Sequence, residues 1–292
     1  MPFFRPWRPA TFLAGPLAML LVLVPGPLRA AGVSRRPALR SAAVLVQDQR
    51  TGELLLQKRS GDPLPIASLT KLMTAMVLLD AHLDLKAPLT ILEEDKDTLR
   101  HSKSHLPVGT VLTRGDALLV ALMASENRAA HALARTFPGG VPAFVAAMNA
   151  KAKALALPSA HFLDPAGLEA GNVANALDLA RIVDRAGQYE LVRTFTTRTS
   201  AVIDTGRRTL TFHNTNHLLL SSRWHIGLSK TGFIDESGQC LVMQAQLASR
   251  PVLIVLLDAS GRMSRFEDAN RIRTWMEGPE VVKVRRVRRR RR

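Results

Sequence analysis

The sequence predicts an α/β protein with one antiparallel sheet flanked by helices and a mostly helical middle region. Three observations predict it. Two short apolar runs joined by turn residues come first, apolar residues at helical spacing then fill residues 68–187, and β-branched or apolar runs with short loops return after Leu191. Strands at both ends with helices between them imply a single sheet, in which the first hairpin pairs with strands from the C-terminal part.

The hairpin comes from "AAVLV" (residues 42–46) and "LLLQ" (54–57); between them Asp48, Thr51 and Gly52 supply turn chemistry. From Ser68, the spacing of Leu69, Leu72, Met73, Met76, Val77 and Leu79 gives a helix with one broad buried face and Ser68 at its entrance. Thr113 with Asp116 resembles a capping box opening a helix through Ala124, and "NRAAHALARTF" continues as another before Pro138-Gly139-Gly140. "VPAFVAAMNAKAKAL" and "ANALDLARIVDRAG" are two more, the second stopped by Gly187. "TFTTRTSAVID", a turn at "TGRR", "TLTFH", "HIGLSKTGF", "CLVMQAQLA" and "PVLIVLLDA" read as antiparallel strands, and "SRFEDANRIRTWM" as a closing amphipathic helix.

Composition bounds the rest. Hydrophobic residues at 47% of 292 are ample for a buried core. Arg5 and Arg8 precede an apolar stretch over residues 10–24, followed by Pro25-Gly26-Pro27 and the small pair Ala30-Ala31. That order is a secretory signal peptide cut after Ala30, and Gly15, Pro16 and Pro25 argue against an uncleaved helical anchor. The single cysteine, Cys240, has no intramolecular partner and lies in an apolar run, so it is expected to be a buried structural thiol. Half of the formal charge of +16 sits in residues 281–292, where Lys283 and seven arginines form a basic, solvated arm. An exported protein meets anionic lipid and wall polymers rather than nucleic acid, so the arm suggests surface electrostatics. The expected division is a signal peptide (1–30), one folded domain (31–280) and the tail (281–292).

Ser68 and Lys71 stand three apart at a helix start, on one face, so the amine reaches the hydroxyl. A serine hydroxyl is a poor nucleophile until a base takes its proton, and a lysine serves once burial or a second cation lowers its pKa. Alone, Ser-x-x-Lys is weak, and an N-cap serine beside an exposed lysine explains it equally well. Two further groups follow in order. Ser125-Glu126-Asn127 falls at a break between helices, and Lys230-Thr231-Gly232 falls within a strand. They supply a second hydroxyl to pass a proton, an amide to hold a substrate backbone, and a second lysine to depress Lys71 and attract a carboxylate. Gly232 lets a substrate lie close to its strand.

This ordered set is that of penicillin-binding proteins and class A β-lactamases. Over residues 42–259 the chain resembles the serine D-Ala-D-Ala peptidases, the low-molecular-mass penicillin-binding proteins, and within them the D-alanyl-D-alanine endopeptidase branch. The segments that carry the resemblance include "PIASLTKLMTAMV", "LPVGTVLTRGDALLVALMASENRAAHALARTFPGG", "FLDPAGL", "NTNHLL" and "SKTGFIDESGQCLVM". The resemblance implies a β-lactamase/transpeptidase-like fold with Ser68 as the acylated nucleophile and Lys71 as its base. It implies Ser125 and Asn127 as proton shuttle and substrate clamp, and Lys230, Thr231 and Gly232 as the partners of the substrate. The N–H groups of Ser68 and Phe233 would form the oxyanion hole. It further implies peptidoglycan stem peptides as substrate, β-lactams as covalent inhibitors, no cofactor or metal, and a periplasmic location.

Four rival readings each need residues of their own. A serine β-lactamase needs a carboxylate to drive water onto the acyl-enzyme, but Glu169 is followed by "AGNVAN". A zinc peptidase would use His101 with His105 or His213 with His217, yet neither pair carries the glutamate of a His-Glu-x-x-His site. A wall-binding protein without chemistry would have lost Ser68 or a lysine. A D-alanyl-D-alanine carboxypeptidase stays the alternative. The sixty residues after Gly232 leave room for two strands and a helix, not for the additional β domain of related carboxypeptidases, which favours the endopeptidase.

Overall fold

The computed structural model describes residues 36–205 and 208–278. The expected signal peptide (1–30), the tail (281–292) and the centre of the "TGRR" turn lie outside the described residues. In chain order, β1 (Ser41–Asp48) and β2 (Leu54–Lys58) form the first hairpin. β3 (Leu64–Pro65) and a 3-10 turn (Ala67–Thr70) then lead into α1 (Lys71–Asp80). β4 (Pro88–Thr90) pairs with β5 (Val111–Thr113), and α2 (Arg114–Met123), α3 (Asn127–Arg135) and α4 (Gly140–Ala154) follow. β6 (Val173–Ala174) pairs with β3, ahead of α5 (Ala176–Ala186) and α6 (Glu190–Thr197). β7 (Ser200–Asp204), β8 (Thr209–His213), β9 (His225–Ile234), β10 (Gly238–Leu247), β11 (Arg250–Ala259) and α7 (Ser264–Glu277) complete it.

The main sheet runs β2-β1-β11-β10-β9, antiparallel throughout, so the N-terminal hairpin joins the C-terminal strands as expected. The β1–β11 register sets Leu45 opposite Val255. Alternation then sends side chains to both faces: Ala43, Leu45, Val242 and Val255 meet the central helices, while Val44, Val46, Leu241 and Ile254 pack with Phe266, Ala269 and Ile272 of α7. Burial on both faces is why these strands read as continuous apolar runs. Asp268 of α7, itself fully buried, ties the layers together by accepting from the Ser41 N–H and hydroxyl, both at 2.7 Å. Cys240 is buried, and burial pushes its thiol up to about 11, which keeps it inert.

Local signals survive in detail. Thr113 Oγ1 accepts from the Asp116 N–H at 3.0 Å and donates to its carboxylate, and Asn175 caps α5 by accepting from the Asp178 N–H at 2.8 Å. Two expectations are corrected. Thr194–Thr197, read as the start of a strand, is the last turn of α6. Val192 and Thr196 are one helical turn apart and both buried, and the Thr196 hydroxyl bonds back to the Val192 carbonyl. β7 and β8 do not extend the main sheet but pair only with each other.

Candidate active site

The site forms where the 3-10 turn before α1 meets the edge strand β9. Ala67 sits at φ 47° just ahead of Ser68, and Ser125, between α2 and α3, sits at φ 61°. Two left-handed alanine and serine residues at one site are costly, and they hold the two hydroxyls in positions a relaxed backbone would not reach. Ser68 is partly exposed, whereas Lys71, the first residue of α1, is 1% exposed.

Lys71 Nζ lies 2.7 Å from Ser68 Oγ, 2.7 Å from Asn127 Oδ1 and 2.6 Å from the Ala166 carbonyl. The last two partners can only accept. A neutral amine therefore spends both N–H groups on them and turns its lone pair toward the serine hydroxyl, which is the arrangement a general base needs. Burial lowers the Lys71 pKa to about 7, against the pull of the Asp164, Glu126 and Asp97 carboxylates. Of the two causes the sequence offers, burial or a second cation, burial is the one at work, and the part expected of the second lysine is corrected. The repulsion falls on Lys230 instead, held well below the usual lysine range by burial first, then by Lys71 and Arg265.

Lys230 Nζ donates to Ser125 Oγ and to the Thr231 carbonyl, both at 2.9 Å. Asn127, at the start of α3, offers its oxygen to Lys71 and its amide nitrogen to Ser102 Oγ at 2.9 Å, so one side chain fixes the base and a neighbouring loop together. Thr231 Oγ1 shares a hydrogen bond with Thr215 Oγ1 at 2.5 Å. A Cβ on Gly232 would stand 2.9 Å from the Ile66 carbonyl, so the missing side chain is what lets β9 approach the Ser68 turn. Phe233 is 54% exposed and borders a cleft of about 360 Å³ that Ser68, Ser102 and Asn127 also line. Arg265 of α7 donates to the Gly232 carbonyl at 2.9 Å, placing a cation on the carbonyl end of the peptide whose N–H end belongs to Phe233.

All eight residues singled out in the sequence (Ser68, Lys71, Ser125, Asn127, Lys230, Thr231, Gly232 and Phe233) thus meet around one cleft and the buried amines behind it. Sequence reasoning assigned no part to the loop that closes the site from behind. Asp164 accepts from the Ala166, Gly167 and Glu169 N–H groups, and that turn presents the Ala166 carbonyl to Lys71. Its signal was the turn chemistry of "DPAG"; a backbone carbonyl has no signal of its own. The histidine pairs do not have the helical spacing that made them candidates. His101 and His105 lie in an irregular segment, and His213 ends β8 while His217 begins a 3-10 turn and stacks on Phe266. Glu169 is exposed.

Comparison with known proteins agrees with this geometry. A family profile described as D-alanyl-D-alanine carboxypeptidase matches residues 30–261. The chain is 43% identical over 256 residues to a D-alanyl-D-alanine endopeptidase of Pseudomonas aeruginosa, covering 87% of this chain and 83% of that one. It is 40% identical over 257 residues to the endopeptidase of Escherichia coli, with the same shares covered. A D-alanyl-D-alanine carboxypeptidase of Bacillus subtilis is 30% identical over 230 residues, 76% of this chain and 57% of that one. Among solved structures, a Streptomyces DD-transpeptidase superposes with a TM-score of 0.76 at 28% identity, over 82% of this chain and 97% of that one.

Proposed function

This chain belongs to the D-alanyl-D-alanine carboxypeptidase family of serine peptidases, and from that premise we propose that it hydrolyses D-alanyl bonds of peptidoglycan, preferentially the cross-links between stem peptides, through an acyl-enzyme on Ser68. The observation that carries the mechanism is the buried Lys71 amine, 2.7 Å from Ser68 Oγ with acceptors for its two N–H groups.

Lys71 takes the hydroxyl proton as Ser68 Oγ attacks the carbonyl carbon of the D-alanyl residue. The N–H groups of Ser68 and Phe233 receive the oxyanion, and Arg265 on the Gly232 carbonyl polarises the second of these peptides. The C–N bond then breaks, and the leaving amine takes a proton by way of Ser125, whose hydroxyl accepts from Lys230. Lys230 and Thr231 face the carboxylate beside the scissile amide. Water attacks the acyl-enzyme with Lys71 again as base, releasing the acid and restoring Ser68. A β-lactam follows the first half of this path and stays attached, because its leaving nitrogen is tethered to the acyl group.

The preference for cross-links is supported by the endopeptidase relatives at 40% and 43% identity. Carboxypeptidase action on a terminal D-alanine is the second reading, favoured by the relative at 30% identity. Digesting cross-linked peptidoglycan and, separately, a monomeric pentapeptide, with the products separated by mass, decides between them. Loss of dimeric muropeptides with little D-alanine released is the expected result; rapid release of D-alanine with dimers untouched would make this a carboxypeptidase.

The proposed location is the periplasm, reached through a signal peptide over residues 1–30. No helix among the described residues is long and apolar enough to cross a membrane. The basic residues 281–292 would hold the mature enzyme near an anionic surface. Deleting them should weaken binding to anionic vesicles at low salt without changing turnover of a small substrate, and equal, salt-insensitive binding by both forms would refute this.

A further inference from the structure

We propose that Arg100 is a specificity-determining residue: it receives a carboxylate on the acyl half of the stem peptide, giving up Glu236 in exchange. The inference rests on the reading of Ser68 as nucleophile and concerns what the same cleft selects.

Arg100 lines the cleft with Ser68, Asn127 and Phe233, and it is the one basic side chain among the residues lining it. Lys71 and Lys230, both buried, do not line it: Lys71 is held against Ser68, and Lys230 is held against Ser125 on the leaving-group side. The platform under Arg100 is rigid. The Asp97 carboxylate accepts from the N–H groups of Leu99, Arg100 and Ser102 at 3.0, 2.8 and 3.0 Å, and Ser102 in turn accepts from Asn127. Arg100 Nε donates to the Leu168 carbonyl, which aims the rest of the guanidinium across the cleft.

Its present partner is easily displaced. Nη1 of Arg100 lies 2.9 Å from Glu236 Oε2, but the glutamate side chain is 48% exposed on the turn between β9 and β10. Such a rim pair stabilises little, whereas a carboxylate bound inside the cleft meets a guanidinium already held in place. Asp235 also borders the cleft and opposes a carboxylate at its own position, which leaves Arg100 as the cationic point among the lining residues.

Polarity along β9 says which half of the substrate arrives there. Lys230 and Thr231 precede Gly232, and Phe233 to Asp235 follow it. A stem peptide with its scissile carbonyl on the Ser68 and Phe233 N–H groups and its leaving-side carboxylate at Lys230 runs its acyl half toward Asp235, where Arg100 stands. A guanidinium there would distinguish an acyl half with a free carboxylate from one in which that group is a neutral carboxamide.

The test compares kcat/KM for a soluble cross-linked dimer of stem peptides with its acyl-half carboxylates free and for the same dimer amidated, using the full chain and its R100Q, R100K and E236Q variants. The wild type should prefer the free form by about tenfold, carried by KM. R100Q should bring that ratio to about one, R100K should restore part of it, and E236Q should raise it by removing the competing carboxylate. Covalent labelling of R100Q by benzylpenicillin verifies that its site is folded, and failure of the wild type to label would instead sink the Ser68 reading. If R100Q slows both dimers equally, or E236Q leaves the ratio where it was, Arg100 merely shapes the cleft and the proposal is wrong.

Discussion

Ser68→Ala abolishes covalent attachment of labelled penicillin while leaving the fold intact, and Lys71→Ala slows acylation by about 10³-fold or more, because the hydroxyl then lacks its base. The pH dependence follows from the amine. Lys71 acts as a base only when neutral, and its pKa is about 7, so the acylation rate should fall as pH drops through that value and level off above it. Stability carries the same signature. In the window from about 7 to the ordinary value of 10.5 the unfolded chain still binds a proton that the folded chain has released, so Lys71 makes stability rise with pH there. Labelling rates measured between about pH 5 and pH 8.5 check the profile. A labelled Ser68→Ala protein would move the nucleophile elsewhere, and a flat profile would remove Lys71 as the base.

Gly167→Ala is expected to damage the enzyme nearly as much, although this residue has no chemistry of its own. Gly167 sits at φ 81°, and a Cβ there would come within 1.9 Å of the Ala67 carbonyl oxygen and 2.9 Å of the Ser68 nitrogen. Those neighbours are backbone and cannot swing away, so the turn carrying Ser68 must move. A displacement near 1 Å costs on the order of 10² in rate, and the strained backbone adds about 2 kcal/mol or more of lost stability. Gly61→Ala, where nothing stands within 4 Å of the new carbon, is the control. Penicillin labelling and urea denaturation read both effects; a Gly167→Ala protein that labels and melts like its parent would show that the turn tolerates the shift.

The element order and the antiparallel pairing of the first hairpin with the last strands were legible in the sequence, because residues buried on two faces leave long apolar runs and turn residues separate them. The misread segment shows the limit. "TFTT" has strand-like composition, yet it closes α6, since β propensity reflects packing context more than backbone preference and the burial of Val192 and Thr196 rewards a helical turn. The separation of β7 and β8 from the main sheet has no local signal, because which edge a hairpin joins depends on what else covers that edge.

For the site, the sequence by itself determined the Ser68–Lys71 pair, since residues three apart on a helical turn share a face and that is a local property. It also supplied Ser125, Asn127 and the Lys230-Thr231-Gly232 strand as an ordered set whose meaning came through resemblance. Only the tertiary structure decided why Lys71 is a base at all. Its pKa is set by burial and by carboxylates from Asp97, Glu126 and Asp164, far apart in the chain, and its lone pair is directed by the backbone carbonyl of Ala166. Desolvation and backbone contacts belong to the packed molecule: they depend on what surrounds a group in space, and side-chain identities along a chain do not record that.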